Sequence, residues 1–492
     1  MRKLCLVTGA TGYVGGRLVP HLLAAGHQVR ILVRHPERVS QMPWKDDVEI
    51  FSGDANDVDA VASAMQGVDV AYYMIHSIGS AGDFEKLEQE TANIFATCAK
   101  QAKVKRIIYL GGLQNDPKLS KHLRSRAEVG NIFLKSGVPT IAFGAAVILG
   151  SGSLSFEMLR YLTERLPAMI TPRWVRTRIQ PIAVRDVLRY LTLAAVLEPE
   201  LNRTFDIGGP DVLTYEEMMQ GYARVAGLRK RIILPINLLS PGLSARWIGL
   251  VTPVPKAIAR PLVDSLKTEV VCAEDDIKTY IPDPPEGLVN FEDAVGLALQ
   301  RIREAAVTTR WSSASMPGAP SDPLPTDPSW AGGSLYIDER EVETEASPES
   351  LWQVIEQIGG EHGWYSFPLA WETRGLLDRI FGGPGLRRGR RDPYRLVSGE
   401  TVDFWRVEEC DRGHLLRLRA EMLLPGLAWL ELEVKTEENE PTKYHQRAIY
   451  HPRGLAGHLY WWSVWPFHGI VFGSMVKNIT QAARDLDEKR AS

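Results

Sequence analysis

Short apolar runs alternate with amphipathic stretches along the N-terminal part of the chain: KLCLVTG, QVRILVR, VEIFSG, VDVAYYMI, KRIIYLGG and PTIAFGAAVILG. The runs have strand length and are rich in β-branched residues, and the segments between them repeat their apolar positions at helical spacing. The first intervening helix is expected from Tyr13 to about Ala25, closed by Gly26. Continuous apolar strands joined by helical crossovers require a parallel sheet covered on both faces, so the pattern predicts an α/β, doubly wound architecture. The stretch from Trp311 to Ser334 breaks it, with five prolines, many Ser and Gly residues and no apolar period. Such a composition makes a linker. Beyond it come a strand (SLYIDEREVET), a helix opened by SPES with Ser347 as N-cap, four alternating runs (VDFWRVEE, HLLRLRAE, AWLELEVK, YHQRAIYH) and a long terminal helix. Three parts follow: 1–310 as an α/β nucleotide-type domain, 311–334 as linker, and 335–492 as a separate α+β domain.

At 492 residues the chain exceeds what one hydrophobic core organises, which agrees with that division. Lys and Arg number 57 against 60 Asp and Glu, so the chain lacks the cationic excess of a nucleic-acid binder, and no nucleic-acid partner is expected. Cys5, Cys98, Cys272 and Cys410 are far apart and form no CxxC, which fits buried thiols in a reducing, cytoplasmic compartment. The N-terminal apolar run stops at glycine too early for a signal peptide. Residues 458–476 (HLYWWSVWPFHGIVFGSMV) are the most membrane-like stretch but carry two histidines and a proline. They read as a buried or interfacial helix, with membrane contact as the lesser alternative. His445, His451, His458 and His468 lack metal-ligand spacing, so no metal is expected.

The loop TGATGYVGG places Gly9, Gly12 and Gly15 between the first strand and the first helix. Glycine serves there where the chain turns sharply, where backbone meets a pyrophosphate and where helix packs on strand, while the helix N-terminus offers N–H donors to the phosphates. The second strand ends in Arg34, where an NAD-preferring site would carry an acid for the ribose 2′-hydroxyl. Arginine there pairs with a 2′-phosphate, so NADP(H) is favoured over NAD(H); a solvated strand-end cation is the alternative. Asp54, past the third strand, can accept from an adenine amine or cap the next helix.

The segments GATGYVGG, GHQVRILVR, GDANDVDAV, ETANIFATCAKQAKVKRIIYL and TFDIGGPDVLTYEEM occur in an order that resembles the atypical short-chain dehydrogenase/reductases, in particular the NmrA-like group. With TPRWVRTRIQPIA, the whole chain resembles the bacterial YbjT-type two-domain proteins. The resemblance implies a Rossmann-type domain whose cofactor contacts fall on Gly9, Thr11, Gly12, Tyr13, Val14, Gly15, Arg34, Asp54, Ile75 and His76. Active members carry Ser or Thr after the fifth strand and Tyr-x-x-x-Lys on the next helix. This chain has Gly111 and Gly112 after the strand, and His122 and Arg126 in the Tyr and Lys places. Four residues apart on a helix, those two share a face and are the candidate catalytic pair, His122 as a general acid or cofactor-orienting group and Arg126 as a donor to ribose. The C-terminal part resembles the START-like or polyketide-cyclase-like helix-grip family, in which Trp352, Trp364, Trp405, Trp429, Trp461, Trp462 and Trp465 would line a cavity or fill a core.

Two basic stretches remain. Arg173, Arg176 and Arg178 either hold an anion or have acidic partners of their own, and LRRGRRDPYR (386–395) reads as a surface loop. The expected function is reduction of a small, apolar carbonyl or enone compound with NADP(H). A non-catalytic NADP(H) redox sensor or scaffold is the rival, and a lipid-binding module served by a nucleotide domain is a third reading. Oligomeric state is left open.

Overall fold

The computed structural model describes residues 2–39, 42–75, 84–115, 120–197, 200–236, 268–307, 335–366, 392, 394–436 and 441–491. The chain divides into two compact units, Met1–Gly333 and Ser334–Ser492. The boundary falls within the Pro-rich segment, which lies outside the described residues.

In the first unit, β1 (Leu4–Thr8), β2 (Gln28–Val33), β3 (Val48–Ser52), β4 (Val70–Tyr73), β5 (Arg106–Gly112), β6 (Thr140–Ala145) and β7 (Arg203–Ile207) form one seven-stranded sheet in the order β7-β6-β5-β4-β1-β2-β3. Every pairing within it is parallel. Among the described residues the α-helices are α1 (Tyr13–Ala24), α2 (Val58–Met65), α3 (Phe84–Gln101), α4 (Lys121–Leu134), α5 (Leu154–Arg165), α6 (Val184–Ala194), α7 (Tyr215–Val225) and α8 (Phe291–Val307). Leu18, Leu22, Val187 and Leu191 of α1 and α6 close one sheet face over Val7, Ile31 and Phe143. Val61, Phe95 and Phe133 of α2, α3 and α4 close the other over Leu6, Ala71 and Ile107. Burial on both faces is why β4, β5 and β6 carry no polar alternation, and each large side chain so buried contributes about 1.5–3 kcal/mol. A third core joins α5, α7 and α8 around Phe156, Met218, Tyr222 and Val295. Within it Arg160 and Glu157, both fully buried, are paired at 2.6 Å, and the Tyr222 hydroxyl donates to Glu164 at 2.5 Å. Cys5 sits near the start of β1, opposite Val29 and Val70, fully buried, and burial pushes its thiol up to about 12.

The second unit is an antiparallel sheet of β8 (Tyr336–Thr344), β9 (Thr401–Val402), β10 (Trp405–Asp411), β11 (Leu415–Ala420), β12 (Gly426–Lys435) and β13 (Thr442–Pro452), in the order β8-β13-β12-β11-β10-β9. Among the described residues two α-helices accompany it, α9 (Pro348–Glu356) and α10 (Gly454–Ala491). Period-two alternation puts Leu416, Leu418, Leu430, Leu432, Val434 and Tyr444 in a core with Leu351 and Ile355 of α9 and Phe472, Met475, Ile479 and Ala483 of α10. Ser347 caps α9 as expected, its hydroxyl accepting from Ser350 N–H, and Asp487 near the end of α10 accepts from both the amide and the hydroxyl of Ser347. Five of the seven singled-out tryptophans are buried; Trp462 and Trp465 face outward on α10, so the expectation that they line a cavity or fill the core is corrected.

Candidate functional site

Along the chain β1, β2 and β3 build outward in one direction, and β4 then returns to the other side of β1. The strand order therefore reverses between β1 and β4. In open parallel sheets the crevice for a ligand lies beyond the carboxyl ends of the strands at such a reversal. Gly9 and Ile75 leave β1 and β4 there, on the two sides of the crevice.

The geometry of the loop depends on glycine. Gly9 has φ +72°, and a Cβ on it would lie 2.6 Å from the Met74 carbonyl oxygen. A Cβ on Gly15 would lie 2.2 Å from the Gly9 carbonyl oxygen, so α1 can start this close to β1 only with hydrogen there. Gly12 donates its N–H to Gly9 O at 2.9 Å and is exposed as the N-cap of α1. No side chain caps α1, whereas Asp57, Ser120, Ser153 and Thr214 cap α2, α4, α5 and α7. The first-turn amides of α1 thus keep their hydrogen-bonding capacity for an anion. Thr11, Tyr13 and Val14 are half-buried in the same turn, and the Arg17 guanidinium lies 4.1 Å over the Tyr13 ring. Trp44, not expected from sequence, pins the loop from behind by donating its indole N–H to Gly16 O at 3.2 Å. A tryptophan 28 positions away in an irregular segment gives no sequence signal of that contact.

Arg34 and Asp54 follow β2 and β3 on the same edge of the sheet. They form a loose pair at 3.8 Å, with side chains 69% and 44% exposed. Asp54 also accepts the Asn56 N–H at 3.0 Å, and the helix that follows is capped by Asp57, which corrects the capping alternative for Asp54. These groups fit a dinucleotide: a cradle that a Cβ would fill, an uncapped helix N-terminus, and a solvent-facing guanidinium one strand away. His76 lies outside the described residues.

His122 and Arg126 stand on α4, beyond β5. His122 is 9% exposed. The Arg126 guanidinium donates to Leu110 O on β5 and lies 5.9 Å over the Tyr109 ring, while the Tyr109 hydroxyl donates to Arg126 O at 3.1 Å. One of the donors expected for ribose is therefore committed to the strand. Next to them Ser125 donates its hydroxyl to the buried Glu88 on α3. Leu123 packs so near Gly112 that a Cβ there would lie 2.8 Å from its methyl, which gives the second glycine a packing role. Arg176 and Arg178 are exposed and paired with Glu216 at 3.3 Å and Glu269 at 2.8 Å, the second of the two readings held for that stretch. The Arg173 side chain and most of 386–395 lie outside the described residues. An open cleft lined by Asp211, Leu213, Arg224 and Phe291 contains none of the candidate site residues.

Residues 9–135 match a family described as NAD(P)H-binding. Unit 1 contains an NAD(P)H-binding domain. Residues 330–475 match a family described as a protein of unknown function (DUF2867). The chain is 28% identical over 256 residues to a ceramide reductase of Caulobacter vibrioides (strain NA1000 / CB15N), covering 49% of this chain and 75% of the relative. It is 33% identical over 114 residues to a 3 beta-hydroxysteroid dehydrogenase/Delta 5→4-isomerase of Mycobacterium tuberculosis, covering 21% of this chain and 30% of that relative, so it spans less than a third of the latter's length. Among solved structures, a triphenylmethane reductase of Citrobacter sp. superposes with TM-score 0.50 at 22% identity, covering 61% of this chain and 99% of that one. At that identity the likeness concerns fold, and it extends the Rossmann-type assignment beyond the matched 127 residues of the family model (9–135).

Proposed function

We propose that the protein is an NADP(H)-dependent reductase of an apolar carbonyl or enone compound. The observation that carries this reading is the glycine cradle at the β1/β4 reversal, with the uncapped amides of α1 aimed out of it. Gly9, Thr11, Gly12, Tyr13, Val14 and Gly15 would hold the pyrophosphate, with Ile75 and His76 past β4. Arg34 would take the 2′-phosphate, giving up a weak, solvent-screened pair with Asp54 for a charge-assisted one, while Asp54 meets the adenine. A bound nicotinamide would supply the hydride, and the chain's own task is then to orient the acceptor and place a proton on its oxygen. His122 on α4 would place that proton. Arg126, tied to Leu110, holds α4 against β5 and would offer its remaining donors to the ribose. Relatives named for a ceramide and a hydroxysteroid support an apolar substrate.

Gly111 and Gly112, where active members carry a hydroxyl, favour a second reading, a cytoplasmic NADP(H) sensor or scaffold without turnover. In either case unit 2, a sheet against a long terminal helix, supports a START-like domain with an apolar ligand.

Thermal unfolding with NADP⁺, NADPH, NAD⁺ and NADH tests the binding step, since a ligand at a hundred times its Kd stabilises by about 2.7 kcal/mol. A shift confined to the phosphorylated pair is expected. No shift with any nucleotide overturns the proposal. NADPH consumption with apolar ketones and enones then separates reductase from sensor.

A further inference from the structure

The terminal helix α10 is apolar on both sides in its first half. One side is accounted for: Trp461 stacks between Tyr336 and Tyr450, with centroids at 4.9 and 5.8 Å, and Phe472, Met475 and Val476 enter the core of unit 2. The other side carries Leu455, Leu459, Trp462, Pro466 and Ile470, spaced four, three, four and four residues apart, which is one continuous helical stripe. Phe467 and Trp465 flank it. Leu459, Trp462 and Phe467 are each more than 60% exposed, and Ile470 is 58% exposed. Single exposed apolar residues are ordinary, but a contiguous stripe of this kind marks a surface that works against something apolar.

Three features say what that is. Between Arg453 and Lys477 the helix contains no Asp, Glu, Lys or Arg, and the first charge met at either end is an exposed cation. Beside the stripe, the Ser463 hydroxyl already donates to Tyr460 O at 2.7 Å, and the directional groups of the face are chiefly the indole N–H of Trp462 and Trp465, whereas a specific protein interface carries roughly one hydrogen bond per 100–200 Å². Tryptophan and phenylalanine between basic ends are the chemistry of a helix lying in the headgroup region of an anionic bilayer. Among the described residues no helix is long and apolar enough to cross a membrane, so the helix would lie on the surface rather than span it.

We infer that the outer face of α10 docks on an anionic lipid bilayer, with Leu459, Trp462, Phe467 and Ile470 inserted at the acyl boundary and Arg453 and Lys477 over the headgroups. This goes beyond the nucleotide reading and does not rest on it. It would bring unit 2 to a place where apolar compounds concentrate.

The test is co-sedimentation of the full chain with vesicles of phosphatidylcholine mixed with phosphatidylglycerol, and with phosphatidylcholine alone. Binding to the mixed vesicles is expected, weakened about tenfold on pure phosphatidylcholine. Trp462→Ser with Phe467→Ser, both solvent-facing, should lower the partition coefficient about tenfold or more on either lipid while the unfolding midpoint stays in place. Leu459→Gln with Ile470→Gln serves as an independent second variant. Failure of the unaltered protein to bind mixed vesicles, or unchanged binding by both variants, overturns the inference. So does a dimer seen in sedimentation equilibrium that the variants dissociate while vesicles bind nothing, because a second copy is then the occupant.

Discussion

The two sheets handle polar chemistry in opposite ways. In unit 1 the polar feature is built from main chain at the end of a strand: the glycine loop and the first amides of α1. In unit 2 it is built from side chains across a sheet face. Arg417 bridges Glu409 and Glu431, with Glu431 at 2.8 Å; Arg447 meets Glu431 at 2.9 Å; and His445 lies between Glu433 at 2.8 Å and Glu339 at 2.7 Å. A backbone site needs space, so it is destroyed by adding atoms. A side-chain lattice needs partners, so it is destroyed by removing them.

The difference can be broken or sharpened by four substitutions. Gly15→Val should have the largest effect, removing the entire nucleotide-induced thermal shift and lowering intrinsic stability by about 1–3 kcal/mol, since its side chain overlaps the Gly9 carbonyl. A retained shift would mean that the loop does not hold the nucleotide. Arg417→Met follows: it leaves Glu431, 5% exposed, with only Arg447, and should cost about 3 kcal/mol in the unfolding of unit 2 with nucleotide affinity unchanged. Calorimetry with and without NADPH separates the two.

Arg34→Ala is smaller. Loss of one charge-assisted contact should weaken NADPH about tenfold in titration calorimetry and leave NADH untouched. The smallest effect belongs to His445→Gln. The hydrogen bond to Glu433 raises the His445 pKa, Glu339 adds to it, and burial opposes both. A folded-state value above the unfolded one means that the charged ring stabilises unit 2 fully below about pH 6.5, and that this contribution fades as pH rises through the raised value. The gap in unfolding midpoint between the unaltered protein and His445→Gln should be widest below about pH 6.5 and narrow as pH rises through the raised value.

That contrast also governs what could be read from the chain. The parallel sheet was legible because strands buried on both faces write themselves as uninterrupted apolar runs, and the cradle because Gly9, Gly12 and Gly15 occupy fixed places between a strand and a helix. Ser347 announced its helix by residue type alone. Contacts between distant positions left no such trace. Nothing in KHLRSRA says that Arg126 turns its guanidinium to Leu110, and Asp54 and Asp57, three apart in one turn, are told apart only by which backbone amides they meet. Trp462 and Trp465 read like core residues because composition records apolarity but not which side of a helix the sheet covers.

Cys5 turns the parallel sheet into a timepiece. A thiol buried inside the central parallel sheet of unit 1, with its acidity suppressed, cannot be alkylated by a bulky reagent while its neighbours on β2 and β4 remain paired. Its modification rate in native buffer would therefore count openings of the whole layer, and slowing of that count by a nucleotide would report how firmly the far end of β1 has been closed.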